Sequence, residues 1–261
     1  MRDVVEMWGN TRMVVLTAMS ASLYAAILIP FKVLPIIPGV TEFRPANAVP
    51  VVCSFLFGPA GAWGAAIGNV IGDFFGGIGP GDLFGFLGNF LYGYVPYRVW
   101  IAVMGERDPI PKTPLQWLVF VGVIALASAA CALTIGWGIN LLGFVPFSVL
   151  ANIILVNNFV VAAVLTPFLL AVIYPRVKSA QLRHTDILGS RRPRPVAVRA
   201  LGLILIVSAV VGGMVLGTLL STGWLQLPFL PAALASTTRA AEVGLGLTPI
   251  VLALLLGLAL L

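Results

Sequence analysis

Charged residues are scarce in this sequence: they make up 9% of its 261 residues, whereas hydrophobic residues make up 60%. A soluble domain usually carries about a quarter charged residues, so the composition excludes an ordinary soluble protein. Apolar runs approaching ~20 residues recur along the whole chain, and as helices they are long enough to cross a hydrocarbon layer of about 30 Å. The sequence therefore predicts a polytopic integral membrane protein.

Histidine and cysteine are also scarce, which limits the metal-binding, disulfide and catalytic chemistry that this chain can perform. The single histidine, His184, lies in a basic polar stretch, so a His-based metal site or catalytic dyad within the membrane is excluded. Cys53 and Cys131 both fall in apolar runs and have neither a disulfide framework nor metal-ligand spacing. A GxSxG elbow and a GxxxxGK[ST] phosphate-binding loop are absent as well. We therefore expect no catalytic residue, no metal and no cofactor in this chain.

Several apolar segments are candidate membrane helices. They cover about residues 13–29, 48–57, 62–75, 83–104, 115–137, 149–173, 200–220 and 247–261. The second and third are shorter than a perpendicular crossing requires, so we expect them to be tilted or to have ends buried in protein. The chain then divides into a six-helix membrane unit (1–175), a basic cytoplasmic linker (176–199) and a C-terminal membrane extension (200–261).

The positions of the basic residues predict the orientation. With the N-terminus inside, all but three of the 15 Lys and Arg residues fall on the inner side. The exceptions are Lys32, Arg44 and Arg239. Such a bias indicates a cytoplasmic N-terminus. Because the basic residues flank apolar runs, we expect anionic lipid headgroups rather than nucleic acid to lie near them. The lid-like loop 31–47 and the turn 76–82 then lie on the outer face.

Polar side chains accumulate towards that outer face. Asn69 and Asp73 are four residues apart and share a helical face, and an ionisable group within a membrane is costly unless it is used. Carboxamides, carboxylates and an arginine in an apolar bundle suit a small polar molecule that contains a ring. Two alternatives stay open. The asparagines could serve only to form hydrogen bonds between helices, and Glu42 and Arg44 could form a solvated ion pair in the loop. The candidate substrate-binding residues are Glu42, Arg44, Asn47, Asn69, Asp73, Asp82, Asn89, Tyr92 and Asn152.

Small residues recur at four-residue spacing in the first apolar segment. Ala18 is paired in this way with Ser22, and Ala21 with Ala25. Small side chains let helices approach closely in lipid. The stripe therefore indicates either helix packing within the protein or a docking surface for another membrane subunit.

One stretch carries a resemblance to a known family. FRPANAVPVVCSFLFGPAGAWGAAIGNVIGDFFGG, continuing through GPGDLFGFLGNFL, resembles the substrate-binding (S) component of energy-coupling factor (ECF) vitamin transporters. The similarity spans about residues 13–175. It implies an all-α integral membrane protein with a six-helix S-component-like bundle, here followed by about two extra C-terminal hydrophobic helices.

The resemblance also implies a function. Such a protein captures a vitamin or related micronutrient outside a prokaryotic cell and delivers it through a transmembrane coupling subunit and two ATPase subunits. The subunit-docking residues would be Ala18, Ala21, Ser22 and Ala25. Riboflavin-like and queuosine-precursor-like substrates are both candidates. The alternatives are a stand-alone secondary transporter, for which no chain of carboxylates through the bundle is visible, and a membrane enzyme.

Overall fold

The computed structural model describes residues 2–37, 41–42, 44–189, 194–228 and 238–261. The regular secondary structure of these residues is helical apart from a short antiparallel ribbon, in which β1 (Pro35–Ile37) pairs with β2 (Thr41–Glu42). The α-helices in this part of the chain are α1 (Arg2–Glu6), α2 (Thr11–Leu28), α3 (Ala48–Phe57), α4 (Pro59–Phe74), α5 (Asp82–Met104), α6 (Pro114–Leu141), α7 (Phe147–Ser179), α8 (His184–Leu188), α9 (Val196–Thr222) and α10 (Ala240–Leu260). Short 3-10 turns flank the ribbon and α1.

The helices confirm the predicted all-α membrane fold. Each predicted apolar segment lies on a helix, namely α2 to α7, α9 and α10. Within the described residues, five helices (α2, α6, α7, α9 and α10) are long and apolar enough to cross a membrane. Helix α7 continues past residue 175 and ends at Ser179.

The two short helices are explained by burial in protein. Helix α3 has 10 residues, and all of them except Phe57 are buried. Gly58, with φ of 54°, then reverses the chain, and α4 begins directly at Pro59. Helix ends that lie against protein rather than lipid do not need the full length of a crossing. Helix ends buried in protein are one of the two arrangements predicted for these segments.

The helices form one bundle with an added hairpin. Helix α2 packs on α4, α4 on α5, α5 on α6 and α6 on α7, while α3 fills the interior between α4, α5 and α7. Helices α9 and α10 pack against each other, and this hairpin lies on α6 and α7. Helix α2 and the hairpin therefore occupy different sides of the bundle.

Ionic and polar contacts gather at the end of the bundle that holds the N-terminus. Tyr97 donates a hydrogen bond to Asp3 (2.7 Å), which joins α5 to α1. Lys178 donates to both carboxylate oxygens of Asp108 (2.9 and 2.7 Å), which fixes the end of α7 to the loop after α5. Burial alone would raise the pKa of Asp108, but the hydrogen bonds from Lys178 and Tyr174 outweigh it and lower the pKa.

Helices α2 and α4 approach each other through glycine. A Cβ atom at Gly64 would collide with the Cβ of Ser20, and one at Gly68 would lie 2.7 Å from the carbonyl oxygen of Ala21. The backbones therefore meet with no room for a side chain, as is common between membrane helices.

This contact predicts a loss of stability in Gly64→Ala. The added methyl group forces α2 and α4 apart, and overpacking of this kind costs about 1–3 kcal/mol. Gly122→Ala is the matched control, because Gly122 also lies in a membrane helix but has no atom within 4 Å of the added Cβ. We expect Gly64→Ala, but not Gly122→Ala, to lower the thermal unfolding temperature in detergent. Equal unfolding temperatures for the two variants would contradict the close approach.

Candidate functional site

A cavity of about 290 Å³ lies in the bundle at the end opposite the N-terminus. It is enclosed by the last turns of α4 and α6, the first turns of α5 and α7, and the chain before α3. Its polar side chains are Arg44, Asn47, Asn69, Asp73, Asp82, Asn89, Asn157 and Asn158. Its apolar side chains are Ile78, Ile135, Ile139, Phe144, Leu150 and Ile154, with Cys131 beside them. Apolar surface combined with polar groups at fixed positions is typical of a small-molecule site.

Two linked hydrogen bonds between Arg44, Asn69 and Asp73 form one side of the polar wall. Arg44 donates from Nη1 to Oδ1 of Asn69 (3.0 Å), and Asn69 donates from Nδ2 to Oδ2 of Asp73 (2.6 Å). Asn69 and Asp73 lie on successive turns of α4 and are 1% and 6% exposed. A guanidinium close to a buried carboxylate offsets the cost of burying that charge. These hydrogen bonds therefore hold a guanidinium group and a carboxyl group in fixed positions at the cavity wall.

A second network joins carboxamides from separate elements. The hydroxyl oxygen of Tyr24 lies 3.3 Å from Oδ1 of Asn47 and 3.2 Å from Oδ1 of Asn89, so its single proton can be donated to either oxygen. Asn47 in turn donates to Oδ1 of Asn158 (2.6 Å), and Asn89 donates to the carbonyl oxygen of Gly85 (2.9 Å). Because protein partners fix these amides, the wall is formed before any ligand binds. Preformed polar groups reduce the ordering cost of binding.

The opposite wall is apolar and comes from α6 and α7. Ile135 and Ile139 are four residues apart on α6, and Leu150 and Ile154 are four apart on α7, so each pair shares one helical face. Phe144 adds its ring from the corner between the two helices. A flat ring can pack on this wall while its edge meets the carboxamides and Asp73.

Most of the predicted site residues meet at this cavity. Those that line it are Arg44, Asn47, Asn69, Asp73, Asp82 and Asn89. Asp82 lies at the start of α5, where its Oδ2 accepts a hydrogen bond from the amide of Gly79 (2.8 Å) and shapes the turn. Glu42 belongs to β2, and its side chain lies outside the described part of the structure.

Two predicted residues lie elsewhere. Tyr92 is buried behind the wall and supports it, since its hydroxyl donates to the carbonyl oxygen of Asn158 (3.0 Å). Asn152 is exposed on the outer surface of α7, where its Nδ2 donates to the carbonyl oxygen of Ser148 (2.6 Å). Six residues separate Asn152 from Asn158, so at 3.6 residues per turn the two point to different sides of α7.

The cavity also contains residues that were not among the predicted site residues. Asn158 lies on the same face of α7 as Leu150 and Ile154, at spacings of four and eight residues. That periodicity was the available signal for choosing Asn158 over Asn152. Cys131 and the isoleucines of α6 carried no signal, because in an apolar helix a lining residue and a packing residue have the same composition.

The small-residue stripe of α2 divides between two faces. Ala21 and Ala25 are buried inside the protein, and Ala21 lies against Gly64 and Gly68 of α4. Ala18 and Ser22 are exposed on the outer face of α2. Part of the stripe therefore packs the bundle, and part of it remains on the outer surface.

The fold and the cavity define a membrane-embedded substrate-binding protein. Several apolar helices surround a preformed cavity with polar side chains. Among the residues that the structure describes, no group of three or more His, Cys, Asp or Glu residues could hold a metal ion. A family model described as QueT transporter matches residues 14–175, and because this is more than half of the chain, the protein belongs to the QueT transporter family.

The family match confirms the resemblance seen in the sequence. QueT proteins are ECF-type S components for queuosine precursors, and S components bind a small molecule within the membrane and pair with ECF subunits. Comparisons with curated proteins and with solved structures found no match. The matched residues end within α7, so the α9–α10 hairpin lies beyond them.

Proposed function

We propose that this protein captures a queuosine precursor, which is a 7-deazaguanine base, for an ATP-driven ECF importer. The observation that carries the proposal is the position of Asp73, linked to Asn69 and Arg44 at one side of a cavity whose other side is apolar. Family membership supports the same ligand class.

The hydrogen-bonding groups of the cavity complement those of such a base. A guanine-type edge presents a ring N–H and an amino group side by side, and a carboxylate can accept both. Asp73 offers that acceptor. The carbonyl oxygen of the base needs a donor, which Arg44 or an asparagine Nδ2 supplies. The flat face of the ring then packs on Ile135, Ile139 and Leu150.

The size of the cavity favours a queuosine precursor over riboflavin. Ligand pockets usually enclose about 300–1,000 Å³, and the volume here, about 290 Å³, is just below that range. A bicyclic base with a short side arm fits this space better than a three-ring flavin with its ribityl chain.

Delivery of the substrate requires partners. The sequence contains no GxxxxGK[ST] loop for a nucleotide. In the proposed assembly, two separate ATPase subunits hydrolyse ATP, as the resemblance to ECF transporters implies. The outer face of α2, with Ala18 and Ser22, is the surface that we assign to the transmembrane coupling subunit. The distribution of basic residues supports a cytoplasmic N-terminus, which would open the cavity to the outside.

Ligand binding by the purified protein without ATP tests the proposal. We expect 7-aminomethyl-7-deazaguanine to raise the unfolding temperature, because a ligand at a concentration of 100 Kd stabilises the folded state by about 2.7 kcal/mol. Riboflavin is the control ligand and should have no effect. Stabilisation by riboflavin alone, or by neither compound, would contradict the proposed substrate.

A liposome assay separates this function from secondary transport. We expect the isolated protein to bind the ligand but not to accumulate it inside liposomes under an ion gradient. Accumulation without ATPase subunits would instead identify a stand-alone transporter.

A further inference from the structure

We infer that the α9–α10 hairpin positions the apolar wall of the cavity, so that ligand affinity depends on residues outside the part matched by the family model. The inference rests on the proposed capture function for its ligand. The corner between α6 and α7 carries that wall, and it contacts α9 directly.

The ring of Phe147 is the main contact at this corner. Phe147 is the first residue of α7 and is 0% exposed. Its ring lies between two glycines: a Cβ at Gly136 of α6 would be 3.1 Å from Cδ2, and a Cβ at Gly217 of α9 would be 2.5 Å from Cε1. The start of α7 is thus held between the helix before it and the hairpin.

The hairpin also supplies a hydrogen bond that α7 cannot provide for itself. The first amides of a helix need acceptors, and the residue before α7 is Pro146, which has no side-chain acceptor. Asn140 of α6 accepts from the amide of Phe147 (2.7 Å), and Ser221 of α9 accepts from the amide of Ser148 (3.1 Å). The Oγ atoms of Ser148 and Ser221 are also 3.1 Å apart. Ser221 therefore caps α7 from another helix.

The consequence for the cavity follows from helix geometry. Leu150 and Ile154 of the apolar wall lie one and two turns after Phe147, and Phe144 precedes it in the corner. A shift of Phe147 moves these side chains with the start of α7. Gly217 and Ser221 are positioning residues, since neither lines the cavity and both act through α7.

Two pairs of variants of the full chain test the inference. Gly217→Ala forces the Phe147 ring to move, whereas Gly212→Ala makes the same change on α9 where no atom lies within 4 Å of the added Cβ. Ser221→Ala removes the acceptor, and Ser208→Ala is its control at an exposed position of α9. Affinity for 7-aminomethyl-7-deazaguanine should fall about tenfold in Gly217→Ala and in Ser221→Ala, and should stay unchanged in the controls. Ser221→Thr keeps the hydroxyl and should recover most of the affinity.

A readout that needs no ligand separates this inference from the substrate proposal. Cys131 lines the cavity, and in a Cys53→Ala background it is the single thiol. We expect a water-soluble thiol reagent to modify Cys131 several-fold faster in Gly217→Ala and Ser221→Ala than in their controls. If the wild type binds no 7-deazaguanine, the substrate proposal fails while this rate still tests the hairpin. Wild-type modification rates in both variants, or equal changes in the control variants, would overturn the inference. If Gly217→Ala does not fold, Ser221→Ala decides it.

Discussion

Asp73→Asn is expected to weaken binding of 7-aminomethyl-7-deazaguanine by about 10- to 100-fold, because a hydrogen bond to a charged group contributes about 1.5–3 kcal/mol. Asparagine keeps the shape of the side chain and one acceptor oxygen, so Asn69 can still donate to position 73. The substitution thus removes the charge and the second acceptor without dismantling the wall. Titration calorimetry on the purified protein measures the change.

The matched control is Asp82→Asn. Asp82 also lines the cavity, but it lies at the rim, half-buried, where its carboxylate accepts the amide of Gly79. We expect this variant to retain affinity within about threefold, since a partly exposed charge is screened by solvent. A large loss in Asp82→Asn together with wild-type affinity in Asp73→Asn would show that the base edge faces the rim instead. Unfolding temperatures of both variants report whether each is folded.

The fold follows closely from the sequence because lipid imposes a simple rule. A segment that crosses the membrane must be apolar and must satisfy its backbone internally, so apolar runs become helices. The exception is instructive: α3 is too short to cross, yet it forms because neighbouring helices cover nearly all of it. The apolar composition of residues 48–57 predicted a helix, and packing against neighbouring helices places that helix inside the protein.

The polar half of the site was predictable, whereas the apolar half was not. Asn69, Asp73 and Asn89 stand out because carboxamides and carboxylates are rare in apolar runs. Ile135 and Ile139 do not stand out, since every face of α6 is apolar. For the asparagines of α7, the residue chosen from the sequence was Asn152, and only the helical face identifies Asn158.

The C-terminal extension shows a different limit of sequence reasoning. Its length and apolarity predicted two further membrane helices, and α9 and α10 are present. Nothing in the residues 200–261 indicated which side of the bundle they would cover. The structure places them on α6 and on one side of α7, and the outer face of α2 stays exposed in the described part of the chain. The extension is therefore compatible with the proposed assembly.

Ser22→Leu is expected to reduce ATP-dependent uptake by the assembled transporter about 5- to 150-fold while ligand binding stays unchanged. Ser22 is exposed on the outer face of α2, and a bulky side chain there prevents the close helix contact that small residues permit. Overpacking of about 1–3 kcal/mol at such a contact corresponds to a loss of roughly 5- to 150-fold in association. Uptake of labelled ligand and co-purification of the coupling subunit report the two effects separately.

Two further variants assign the effect to this face. Ser208→Leu makes the same change at an exposed position of α9, on the other side of the bundle, and should leave uptake intact. Ala21→Leu places the bulk against Gly64 and Gly68 inside the protein, so it should lower the unfolding temperature instead. If Ser22→Leu transports normally, or if Ser208→Leu abolishes transport, the coupling subunit docks elsewhere. The next candidate would then be the exposed apolar face of α7, which carries Val160, Val164 and Phe168.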